Sequence, residues 1–173
     1  AKAINFGVIY GMGARALARQ IHVKTAEAQT FIDQYFATYP GVRTFIDETK
    51  DRARRNGYVE TMLGRRRLLP DILSQNNRLR SFQERIAVNT PIQGTAADLI
   101  KRAMLHLDAA LNEAGVEAMM LLQVHDELVL EVPESELEQV TALVVEAMEQ
   151  AIELSVPLVV EAHSGKDWRE AHG

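Results

Sequence analysis

Apolar residues recur every three to four positions through most of this chain, a spacing that predicts amphipathic helices. The pattern runs over residues 2–12 and ends at the glycines of 11 and 13. It resumes over 14–21 and again over 26–39, where Thr25 is suited to cap the start and Pro40-Gly41 to stop the end. A further helix over 42–55 is closed by Asn56-Gly57. Residues 58–62 and 66–69 flank Leu63-Gly64-Arg65, which predicts a small hairpin ended by Pro70-Asp71. After a polar loop at 74–77, a helix over 79–89 is broken by Thr90-Pro91, and Pro91 suits the first turn of a long helix over 92–114. The period then changes. Met119-Met120-Leu121-Leu122 and Leu128-Val129-Leu130 are short apolar runs that read as two antiparallel strands, with His125-Asp126-Glu127 at or beside the turn. An acidic helix over 133–154 and a strand over 156–162 complete the series. The expected class is α+β, mainly helical with a small antiparallel sheet built from residues 117–132 and 157–162. No repeat, low-complexity tract or Pro/Gly/Ser-rich linker divides the chain, so residues 1–173 read as a single unit.

With 47% hydrophobic residues among 173, the chain can bury a real core. It has no cysteine, which excludes disulfides and thiolate metal sites. It has no apolar run of about 20 residues and no signal-peptide pattern, and a cytoplasmic location is expected. The N-terminus, which has no Met and no cap, reads as a segment cut from a longer chain. The net charge of −5 by itself argues against a nucleic-acid partner, but the charge is unevenly spread. Residues 43–102 hold 13 basic and 7 acidic side chains, whereas residues 103–173 hold 2 basic and 15 acidic. A basic middle can meet phosphates; a set of solvated helix faces would carry the same charges.

Several positions carry candidate chemistry. Asp126 and Glu127 are adjacent carboxylates whose repulsion a divalent metal would offset, and hard oxygens suit Mg²⁺. A solvated hairpin turn is the other reading of the same residues. Lys2, Phe6 and Tyr10 share a helical face, where a cation and two rings could meet a nucleoside triphosphate; the rings could equally be core. Arg85 and Asn89 are one turn apart, with Gln93 after Pro91, and such donors read sugar and base edges in a minor groove. Against that, Asn89 or Thr90 could only cap the next helix. Gly94-Thr-Ala-Ala97 permits close approach of a duplex or tight helix packing, and Arg65-Arg66-Arg67 is a weak phosphate-contact candidate.

Taken in order, these segments resemble the family A DNA polymerases, the bacterial DNA polymerase I type. Lys2-Ala-Ile-Asn-Phe-Gly-Val-Ile-Tyr-Gly11 is similar to the fingers motif of that family without its first residues. Gln123-Val-His-Asp-Glu-Leu-Val-Leu-Glu131 resembles its palm metal motif. Between them lie Tyr39-Pro-Gly-Val42, Thr61-Met-Leu-Gly-Arg-Arg66, Leu69-Pro-Asp-Ile72 and Glu84-Arg-Ile-Ala-Val-Asn-Thr-Pro-Ile-Gln-Gly-Thr-Ala-Ala-Asp98, and Ser164-Gly-Lys-Asp-Trp168 fits at the tail. The resemblance covers essentially the whole chain.

The resemblance implies DNA-templated DNA synthesis in replication and repair, with fingers at about 1–80 and palm at about 81–173. Primer–template DNA and deoxynucleoside triphosphates would be the partners and two Mg²⁺ ions the cofactors. Lys2 would contact the triphosphate and Phe6 the sugar, where Phe goes with exclusion of dideoxynucleotides. Tyr10 would sit beside the templating position. Arg85, Asn89 and Gln93 would contact the primer–template, and His125 would lie near the primer end. Asp126 would ligate the metals, with Glu127 as a weaker ligand. The family's second palm aspartate and a triphosphate-binding arginine fall before residue 1, so the chain alone is expected to be inactive. The palm hairpin would keep an open edge that could pair with a second copy, as a dimer or domain swap. Two rival readings remain: a non-catalytic duplex-binding module using the basic 43–102 region, and a small metal-dependent hydrolase around residues 125–127 that lacks further ligands.

Overall fold

Ala28 and Ile32 lie one helical turn apart, and both are buried against Val8, Leu17 and Ala18. That cluster anchors the first of two compact units, Ala1–Thr95 and Ala96–Gly173, in a computed structural model that describes residues 7–172. In the first unit, helical residues 7–9 precede α1 (Ala14–Ile21), α2 (Thr25–Thr38) and α3 (Pro40–Asn56). A hairpin of β1 (Tyr58–Glu60) and β2 (Arg66–Leu68) leads to α4 (Asn77–Asn89) and a π turn (Thr90–Gly94). The expected helix over 2–12 lies partly outside the described residues. Thr25 is the first residue of α2 and makes no side-chain cap; Lys24 stands in the cap position. Pro40-Gly41 opens the next helix, because the fixed φ of Pro40 is already that of a first turn.

Asn56-Gly57 ends α3 as expected. Gly57 has φ 74°, donates to the Ala53 carbonyl at 2.8 Å and accepts from the Leu69 amide at 2.8 Å. That left-handed residue turns the chain into β1, which packs Val59 on Ala53, Leu69, Ile72 and Ala87. Gly57→Ala is expected to cost about 1–2 kcal/mol, the strain of a Cβ in this region, read as a lower urea midpoint at unchanged slope.

Thr90-Pro91 does not break the helix, contrary to expectation. Pro91 lacks an N–H and its ring crowds the carbonyl one turn back. The chain widens over five residues into the π turn, and α4 passes through it into α5 (Thr95–Ala114). The Thr90 hydroxyl donates to the Ile86 carbonyl at 2.7 Å, and the Thr95 hydroxyl donates to the Pro91 carbonyl.

In the second unit α5 is followed by β3 (Met119–Val124), β4 (Glu127–Glu131), a 3₁₀ turn (Glu134–Glu136), α6 (Leu137–Glu149) and α7 (Trp168–His172). Ala103, Leu107 and Leu111 recur every four residues along α5, and all three are buried. Leu107 and Leu111 pack with Ala118 and Val140, and Met120, Leu128 and Leu130 of the hairpin close over them. The strands are antiparallel, with Val124 opposite Glu127 and a bulge at Leu121 that leaves Leu121 and Leu122 both exposed.

Two expectations are corrected here. The acidic helix over 133–154 is shorter, and Pro133 precedes a 3₁₀ turn rather than opening α6. Residues 156–162 form no strand: β3 and β4 pair with each other alone among the described residues, and the Val160 amide donates to the Glu149 carboxylate at 3.0 Å instead of to a ladder. The α+β class holds, with two two-stranded antiparallel sheets among many helices in the described residues. Among the described residues no helix is long and apolar enough to cross a membrane.

Candidate functional site

The β3–β4 connection is a two-residue turn, His125-Asp126, because Val124 and Glu127 are already paired. His125 has φ 54°, a conformation that costs a non-glycine residue energy and that clusters at functional sites. The Gln123 side-chain amide donates to the His125 carbonyl at 2.7 Å and ties down the turn. His125, Asp126 and Glu127 are all exposed, so the tip presents its carboxylates outward. The Glu127 carboxylate lies 3.8 Å from Nδ1 of His172, an ion pair when His172 is protonated, and His172 in turn lies beside the Trp168 ring with centroids 5.8 Å apart.

Hard, exposed carboxylate oxygens fit Mg²⁺, which takes one or two protein carboxylates and fills the rest of an octahedral shell from water and phosphates. No group of three or more His, Asp or Glu side chains among the described residues is placed to hold a metal ion. The turn can therefore supply one side of a metal site.

The second candidate row lies on α4 and the π turn. Arg85 is exposed, with its guanidinium 5.9 Å from the Phe82 ring centre, Asn89 is half-buried, and Gln93 is exposed on the π turn. Four residues of α-helix overshoot a full turn by about 40°. The wider π turn takes more residues per turn, so a four-residue step through it falls short of a full turn and opposes that overshoot, which favours a single stripe for the three. Asn89 is not a cap: its backbone is helical and its side chain makes no capping hydrogen bond. Its Oδ1 is buried with no hydrogen-bond partner among the described residues, a costly arrangement for an amide oxygen.

Glu84, beside Arg85 in sequence, is half-buried and accepts from Arg54 of α3 at 2.8 Å, with Lys50 at 3.9 Å. That hydrogen bond is the main cause of an Arg54 pKa above its ordinary value, burial acting against it. Gly11, Lys50, Glu84 and Arg85 line a cavity of about 200 Å³. A Cβ on Gly11 would lie 3.5 Å from the Arg85 stem, so the residue after half-buried Tyr10 packs against the α4 row. Lys2 and Phe6 lie outside the described residues.

The sequence reading missed His172 beside Glu127, for which no local pattern exists across 45 residues. It also missed the grip of the β1–β2 tip on the π turn. There Arg65 donates to the Gly94 carbonyl at 3.1 Å, and the Met62 amide donates to the Thr95 hydroxyl at 2.9 Å. The usable signal was a proline inside an otherwise continuous helical pattern.

Comparison with known proteins extends this picture. The DNA polymerase family A model matches residues 1–170. The chain is 55% identical over 172 residues to DNA polymerase I of Pseudomonas aeruginosa, covering 99% of the chain and 19% of that protein. It is 52% identical over 171 residues to DNA polymerase I of Geobacillus stearothermophilus, covering 99% of the chain and 20% of that protein. The chain thus spans about a fifth of the length of these curated relatives. Among solved structures, the POL domain of Pol1 from M. smegmatis, in complex with DNA primer-template and dNTP, matches with a TM-score of 0.97 at 45% identity, over 99% of this chain and 30% of that one. The chain belongs to DNA polymerase family A.

Proposed function

We propose that this chain supplies the fingers, about residues 1–80, and the C-terminal part of the palm, about residues 81–173, of a DNA-directed DNA polymerase of replication and repair. Lys2 would neutralise the triphosphate of the incoming nucleotide, Phe6 would pack on its sugar, and Tyr10 would stand beside the templating base. Arg85, Asn89 and Gln93 would hold the primer–template near its growing end, with the unpartnered Asn89 oxygen accepting from a base or sugar donor. His125 would lie at the primer end. Asp126, with Glu127 beside it, would hold Mg²⁺ together with a further carboxylate from outside these residues. When bound, a pair of such ions stabilises the attacking and leaving oxygens of an in-line displacement. The protein's remaining task is positioning and charge complementarity, and no side chain here needs to act as a nucleophile.

The observation that carries this reading is the outward-facing His125-Asp126 turn, tied by Gln123, in a chain that matches a DNA- and dNTP-bound polymerase domain over 99% of its length. The test is nucleotide-dependent DNA binding by the polymerase polypeptide that includes this segment. The next complementary dNTP should tighten its complex with a chain-terminated primer–template, while a non-complementary dNTP should not. Binding indifferent to dNTP would leave a duplex-binding module, served by the basic residues between 43 and 102, as the better account.

A further inference from the structure

Arg65 lies at the tip of the β1–β2 hairpin, yet its guanidinium is turned toward the protein, donating to the Gly94 carbonyl at 3.1 Å. Gly94 ends the π turn that carries Gln93. Around it the fit is close: a Cβ on Gly94 would come within 2.7 Å of the Thr61 methyl. Thr61 is buried at 5% exposure, and its hydroxyl accepts from the Arg65 amide at 3.1 Å. The Met62 amide donates to the Thr95 hydroxyl at 2.9 Å, and that hydroxyl donates on to the Pro91 carbonyl. A π turn is a strained way to continue a helix, and it persists where neighbouring groups fix it. Here the fixing groups come from a hairpin about thirty residues earlier in the chain.

We infer that Arg65 and Thr61 are positioning residues: the hairpin tip clamps the π turn and so sets the stripe on which Asn89 and Gln93 meet the duplex. This rests on the reading of Arg85, Asn89 and Gln93 as duplex contacts. It distinguishes Arg65 from a phosphate contact, the simpler reading of an arginine in a basic turn. It also gives Gly94 a specific reason to be glycine, the Thr61 methyl rather than an approaching duplex.

The experiment measures primer–template affinity of the polymerase polypeptide by fluorescence anisotropy across a salt series. The variants are Arg65→Ala, Gly94→Ala, Thr61→Ser and the pair T61S/G94A, with thermal melts to confirm folding. Arg65→Ala should weaken binding about tenfold, the size of one charge-assisted hydrogen bond, with the slope of log affinity against log salt unchanged. Gly94→Ala should weaken it too. T61S/G94A should return to within about twofold of the parent, because serine removes the obstructing methyl and keeps the oxygen. A salt slope reduced by about 1 in Arg65→Ala would overturn the inference by showing a direct phosphate contact. Failure of T61S to rescue G94A, or unchanged affinity in Arg65→Ala, would also overturn it. If Arg65→Ala does not fold, the glycine–threonine pair decides. A parent protein that does not bind duplex would overturn the duplex reading and this inference together; a parent that binds isolates the inference for the variants to decide.

Discussion

Asp126→Ala, made in the polymerase polypeptide that includes this segment, should lower the rate of nucleotide addition about 10³-fold or more, while primer–template affinity should change little. The size comes from the several kcal/mol of charge stabilisation that a metal site supplies, at about 1.4 kcal/mol per decade of rate. The selectivity for rate over binding comes from the geometry. Asp126 is exposed at a two-residue turn, and the Gln123–His125 hydrogen bond that ties the turn uses the His125 backbone rather than the Asp126 carboxylate. Removing that carboxylate therefore leaves the hairpin folded. Asp126→Asn should fail to the same degree, since an amide keeps the shape and loses the charge. Rapid-quench turnover at saturating DNA checks the rate, and anisotropy checks the affinity. A duplex-binding module would show no activity to lose.

The largest effect on stability is expected in the core beneath that hairpin. Leu107 is fully buried, packed with Leu111, Ala118 and Val140 and covered by Leu128 and Leu130 of β4. Leu107→Ala should cost about 2–5 kcal/mol, the transfer free energy of the lost methyls plus the cavity they leave. Leu105, two residues away on the same helix, is 71% exposed, and its replacement by Ala should stay within about 0.5 kcal/mol. Urea unfolding of the two variants, monitored by circular dichroism, makes the comparison. Because α5 backs the strands that carry His125-Asp126-Glu127, the same core that stabilises the second unit also presents the candidate metal ligands.

Local signals in the sequence were enough for most elements. The Asn56-Gly57 stop, the hairpin about Gly64, and the two strands about residues 125–127 all come from turn chemistry and apolar period, which act over a few residues. Pro40 follows the end of α2 as expected and also opens α3, whereas Pro91 was misread as a break: proline suits a first turn, and at Pro91 the chain absorbs the missing N–H by widening into a π turn instead of stopping. Residues 156–162 have strand composition, but strand formation needs a partner edge, a non-local condition that composition does not encode. The candidate site divides in the same way. Asp126 and Glu127 stand out as adjacent carboxylates between apolar runs. The partnerships of Glu84 with Arg54, of Arg65 with Gly94 and of Glu127 with His172 join residues about thirty or more positions apart, and no spacing rule reaches them. The resemblance to family A polymerases supplied roles that the residues alone left open between metal site and turn, or between DNA contact and cap.

The proposed function has these 173 residues carry one side of a polymerase metal site, at Asp126 and Glu127, with nucleotide contacts at Lys2, Phe6 and Tyr10 and duplex contacts at Arg85, Asn89 and Gln93. Primer extension with Mg²⁺ and all four dNTPs tests it most directly, run with the purified chain alone and again with the upstream part of the polymerase supplied in the same polypeptide. The expected result is no extension by the chain alone and template-directed extension by the joined protein. Extension by the purified chain alone, or a folded joined protein that binds primer–template and adds no nucleotide, would contradict it.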